Sequence, residues 1–147
     1  MSKFQIKRAC GHEETIQIYG PTRDRARKAE WEESKLCPDC YADRRETERT
    51  SERLQAAEAA AKDGLPALEG SQKQLDWALT IRARQLAGIA AYLAPRPAKP
   101  GSEELLAAVL ADIRGQTSAA WWIDHRDVQA ENLLRDAAIA RLQKAGA

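Results

Sequence analysis

Cys10-Gly11-His12 and, after 24 intervening residues, Cys37-Pro38-Asp39-Cys40 decide how this chain is read. They bring three thiols and one imidazole in two close pairs, each pair on a tight turn, and they use every cysteine in the chain. Zinc has no ligand-field preference and takes Cys and His in closed four-coordinate sites. Turns suit such ligands, because their backbone amides help carry the thiolate charge. Cys10, His12, Cys37 and Cys40 are therefore the expected metal ligands and zinc the expected metal. With four protein ligands no position is left for water, so the metal's expected work is folding and not hydrolysis.

The surroundings fit that reading. Residues 4 to 8 and 15 to 19 alternate apolar and polar side chains on either side of Gly11, as in a short β-hairpin. Cys37-Pro38-Asp39-Cys40 stands at the expected start of a helix, so the pattern is that of zinc ribbons and treble-clef fingers. Two bland readings stand beside it. The cysteines are unrelated free thiols, or Cys37 and Cys40 form a redox pair; the second expects a βαβ unit, and the sequence has no pattern for one.

Beyond the hairpin the signals are helical. Thr22 to Ser34 reads as a short helix capped by Thr22 or Asp24, and Tyr41 to Lys62 as a longer one ending at Asp63-Gly64, polar all round in its first half. Gly64 to Gly70 marks a boundary. Ser71 with Gln74 forms a capping box, followed by a stripe of Leu75, Leu79, Leu86, Ile89 and Leu93. Residues 95 to 101 hold three prolines and read as an extended connector. Ser102 then caps a helix carrying Leu105, Leu106, Val109, Leu110 and Ile113, which Gly115 ends. Thr117 or Ser118 opens a last helix bearing Trp121, Trp122, Leu133, Leu134, Ile139 and Leu142, up to Gly146. The expected architecture is mainly α: an N-terminal zinc-stabilised hairpin module over residues 1–63 and a C-terminal three-helix bundle over residues 71–147.

Composition narrows the function. The 147 residues carry 23 Lys and Arg against 22 Asp and Glu, a net charge of +1, so no single-sign field announces a nucleic-acid partner. No apolar run is long enough for a bilayer and no signal-peptide core follows Met1, so a cytoplasmic protein is expected. Apolar content is dominated by alanine, which makes a thin core and leaves a homodimer open. Four tryptophans against one phenylalanine favour an interaction surface, since Trp dominates interface hot spots. Trp31, Trp77 and Trp121 are the candidate protein-binding residues. Trp31, in an otherwise charged helix, either packs over the hairpin or stands exposed as an anchor.

Nucleic-acid binding through Arg23, Arg25, Arg27 and Arg44 is the alternative, and it requires these side chains on one face. An enzyme is the least supported class. Asp124-His125-Arg126-Asp127 comes with no positioned nucleophile, phosphate loop or second metal set, so His125 reads as a helix-surface or capping residue.

Two blocks, Leu68-Glu69-Gly70-Ser71-Gln72-Lys73-Gln74 running into Trp77-Ala78 and Ile81-Arg82, and Thr117 to Asp124 with Arg126, carry a resemblance. With the N-terminal cysteine pairs, they resemble small zinc-ribbon accessory proteins encoded by phages and bacterial integrative elements. The Pro-rich connector departs from that group. The resemblance implies a mobile-element origin and an accessory factor that binds a host or phage macromolecule, inhibitors of defence systems included.

Overall fold

A computed structural model describes residues 2–96 and 98–145; Met1, Pro97, Gly146 and Ala147, which the readings of the start, the connector and the last helix include, lie outside them. The order of elements is β1 (Ser2–Lys7), β2 (Glu13–Ile18), α1 (Thr22–Glu33), α2 (Pro38–Lys62), α3 (Gln72–Leu93), α4 (Glu103–Arg114), α5 (Ala119–Asp124) and α6 (Ala130–Ala145). The chain divides into two compact units, one up to Thr50 and one from Ser51 onward, so the division falls inside α2.

In the first unit β1 and β2 pair antiparallel, with Phe4 opposite Ile16 and Ile6 opposite Glu14. Strand alternation puts Phe4, Ile6, Ile16 and Ile18 on one face. Ile6 and Ile18 are buried there, and α1 packs on the hairpin. No residue of α1 is fully buried. Neither Thr22 nor Asp24 caps it: Pro21 holds the N-cap position and makes no side-chain bond. Proline's fixed φ suits the extended N-cap conformation, and Asp24 N donates to Pro21 O at 3.0 Å.

The second unit holds the main core, in which Ala78, Ile81, Ile89, Val109, Ile113, Ala119, Trp122, Leu133 and Leu134 form one buried cluster. Helix α3 packs on α5 and α6, and α4 packs on α6. The Ser71 capping box is present: Gln74 N donates to Ser71 Oγ and Ser71 N to Gln74 Oε1. The most buried line of α3 is Ala78, Ile81, Arg82, Gln85 and Ile89, turned slightly from the leucine stripe, whose other members are half-buried.

The segment after Ser118, read as one helix, is two. Gln85 Nε2 donates to the carbonyls of His125, Arg126 and Val128, at 2.8, 3.1 and 3.2 Å, taking oxygens that a continuous helix would bond internally. Asp124-His125-Arg126-Asp127 has no apolar side chain and little helix propensity to oppose that. His125 itself closes α5 as its C-cap. Ile139 and Leu142, expected in the core, are exposed. Ser102 holds the N-cap position of α4 but makes no side-chain cap bond; its hydroxyl donates to Lys99 O instead. The connector turns at both ends, with Arg96 Nη1 donating to Tyr92 O.

An unforeseen pairing joins the two motif blocks. Glu69 N donates to Thr117 O and Ala119 N to Glu69 O, a parallel bridge that seats α5 against the start of α3. Gly70 fits because a Cβ there would stand 3.0 Å from Ala119 Cβ.

Candidate metal centre

The turn between β1 and β2 carries Cys10 and His12, and Gly11 between them has φ +84°, a left-handed conformation that glycine adopts without cost. Two contacts fix this turn against the rest of the unit. Ala9 N donates to Lys35 O at 2.9 Å. Arg8, almost wholly buried, pairs with Glu14 on the neighbouring strand and with Glu32 at 2.6 Å, and donates to the Glu32 carbonyl at 2.7 Å. Its guanidinium is held above its ordinary pKa by the bond to Glu32. Glu32 in turn lies below the usual carboxylate range, because Lys35 and then Arg8 donate to it. The arginine thus bolts the hairpin to the end of α1, next to the second cysteine pair.

That pair is built on the N-terminus of α2. Cys37 is its N-cap, with Tyr41 N donating to Cys37 O, and Pro38 opens the helix. The Cys40 amide donates to Cys37 Sγ at 3.4 Å, the position an N-cap serine oxygen would take. The Cys37 amide donates to Cys10 Sγ at 3.3 Å and so links the two turns. His12 Nδ1 lies 3.4 Å from both Cys37 Sγ and Cys40 Sγ.

One ligand atom from each of Cys10, His12, Cys37 and Cys40 lies within 4.8 Å of the others. A tetrahedral zinc with ordinary bond lengths separates its sulfur and nitrogen ligands by about 3.5 Å, so the spacing of His12 to Cys37 and Cys40 is that of a coordination tetrahedron. Cys37 is buried, Cys10 and Cys40 half-buried and His12 exposed. The donors' charges point the same way. The Cys37 amide, followed by that of His12, lowers the Cys10 thiol to about 6. Hydrogen bonding to Cys37, burial and the neighbouring sulfurs raise Cys40 to about 12. Without a cation Cys10 carries a thiolate readily and Cys40 resists one; a divalent ion removes that resistance.

The other candidates are scattered. Trp31 is 61% exposed, with Lys35 Nζ 2.9 Å from its ring centre, so it stands out from α1 and does not pack under the hairpin. Trp77 is 51% exposed and Trp122 wholly buried. Trp121 is half-buried, stacked on His125 at 4.1 Å and edge-on to Trp122. Structure therefore occupies its ring.

Arg23 and Arg27 flank Asp24, Arg44 pairs with Glu48 one turn on, and Arg25 Nε donates to Gly20 O. On α1 the side chains of Arg23 and Arg25 point about 200° apart, so the four arginines do not line one face. His125 Nδ1 meets Trp121 O at 2.7 Å, a bond within one turn.

Reading the sequence missed Arg82 and Gln85. Both are buried in the second unit, Arg82 donating to Pro66 O at 2.8 Å with its pKa lowered by burial. Among the described residues no helix is long and apolar enough to cross a membrane. Compared with family models, curated proteins and solved structures, the chain has no match.

Proposed function

We propose that this chain is a non-enzymatic zinc-binding interaction protein, which uses Cys10, His12, Cys37 and Cys40 to hold one structural zinc and recognises another protein through exposed tryptophan. A closed Cys₃His shell offers no open coordination position, which supports a folding role for the metal. The observation that carries the recognition half is the exposure of Trp31 and Trp77, at 61% and 51%, in a protein that buries Trp122 completely. Large exposed indoles cost solubility and are the side chains most often found as interface anchors. The resemblance to accessory proteins of phages and integrative elements makes a host or phage complex the natural partner, a component of a defence system among them.

Native mass spectrometry combined with affinity purification from bacterial cells tests this. The expected result is one zinc per chain, absent from Cys37→Ser, and a defined protein partner lost on replacing Trp31 and Trp77 together by alanine. A chain free of zinc, or partners indifferent to both tryptophans, refutes it.

Nucleic-acid binding is the second reading, favoured by the full exposure of Arg23 and Arg27 and opposed by Asp24 between them. It calls for a mobility shift that weakens steeply with salt and is lost in Arg23→Ala/Arg27→Ala.

A further inference from the structure

In the second unit Trp77 lies on the edge of a shallow groove of about 470 Å³ between α2 and α3. Its floor is small and largely apolar, with Ala56, Ala59 and Ile81 beside polar Gln55 and Thr80, and Glu52 and Arg84 also line it. Lys73, one turn before Trp77, and Arg84, two turns after it, lie on the same side of α3. The Arg126 guanidinium sits 5.6 Å from the Trp77 ring centre, and Arg84 donates to the Arg126 carbonyl at 3.1 Å. Among the described residues neither Lys73 nor Arg84 has a carboxylate within ion-pair distance; Arg126 has Asp127 at 3.2 Å.

We propose that this groove docks an acidic peptide segment of the partner. One apolar side chain of the segment lies against Trp77 and the alanine floor, while its carboxylates meet Lys73, Arg84 and Arg126. The inference rests on the reading of the chain as a protein-binding module. Three cations around a half-exposed indole set the sign of the partner's charge, and two of them lack an internal counter-ion. Methyl groups on the floor suit an aliphatic side chain. Glu52 in the lining opposes a continuous phosphate chain, whereas a peptide places carboxylates only where cations face them.

The test is selection from a random surface-displayed peptide library against the full chain at physiological ionic strength, followed by titration of the enriched peptides. Enriched sequences are expected to be acidic with a Leu, Ile or Phe. Their binding should weaken about tenfold in Trp77→Ala, the scale of an interface anchor, and in Arg84→Glu, with Trp31→Ala unaffected. The Trp77 indole N–H should shift in NMR spectra on titration. Both substitutions are at exposed side chains, and circular dichroism of each variant checks that it is folded. Peptides without acidic bias, or indifferent to both variants, overturn the inference. So do the absence of any enriched peptide, and tighter binding of oligothymidylate than of peptide at Trp77, which would assign the surface to nucleic acid. Peptides lost in Trp31→Ala and retained in Trp77→Ala overturn it while leaving the broader protein-binding reading standing.

Discussion

Cys37 occupies a position where helices ordinarily carry serine or aspartate, and its sulfur accepts the Cys40 amide as an oxygen would. Cys37→Ser therefore preserves the cap while removing a thiolate, which separates metal loss from helix loss. Zinc affinity, by competition with a chromophoric chelator, is expected to fall by at least about a hundredfold, and unchanged affinity would remove Cys37 from the shell. Glu32 gives a second test. Its carboxyl is lowered by Lys35 and Arg8, so its contribution is complete above the ordinary glutamate range near pH 4.5 and is lost as pH falls through the lowered folded value. Glu32→Gln is expected to cost about 1 kcal/mol, constant between pH 6 and 8 and shrinking only in acid, as read from thermal unfolding of both proteins. A gap that widens in acid contradicts the assignment. At this scale the clustering of Cys10, His12, Cys37 and Cys40 was legible because cysteine has few other uses in pairs at such spacing. Arg82 and Gln85 were not, because a polar side chain on a helix reads as solvated until the carbonyls it serves are known.

Elements were legible wherever a local signal decided them. Ser71 and Gln74 announced α3, the alternation around Gly11 announced the hairpin, and Gly64 to Gly70 announced a break. The division of α5 from α6 was hidden because its cause lies 40 residues away, in Gln85. Gln85→Leu keeps a similar volume but removes a donor shared by three carbonyls, two of which keep another, Val128 N on His125 O and Arg84 Nη2 on Arg126 O. It is expected to cost about 1–3 kcal/mol in urea unfolding and to speed amide exchange around residues 125–130; unchanged exchange there would show that the polar run alone breaks the helix. The bridge from Glu69 to Thr117 and Ala119 was hidden for the same reason, as two single-residue contacts leave no periodicity. Gly70→Ala should cost about 1–3 kcal/mol through the clash with Ala119, measured in the same way.

Across the whole molecule apolar burial is unequal. The nine-residue core cluster lies entirely between Ala78 and Leu134, while among the described apolar residues the first unit buries only Ile6, Ile18 and Cys37. Two isoleucines contribute about 5 kcal/mol, and a structural zinc would contribute about 10 or more, so under the proposed function a bound metal would be the larger support of the hairpin and α1. The two units therefore have different reasons to be folded, and removing the metal should separate them. With a strong chelator present, amide exchange at Ile6, Ile18 and Trp31 is expected to become fast. Ile81, Ile89 and Val109 should keep their protection, because nothing in their core depends on the cysteines. Urea unfolding should then show a single transition from the second unit, with zinc restoring an earlier loss of hairpin signal to that transition or above it. Protection at Ile6 that survives chelation would mean that the Arg8, Glu14 and Glu32 network holds the hairpin unaided. Loss at Ile89 along with Ile6 would mean that the units fold as one, through α2, the helix in which the division falls.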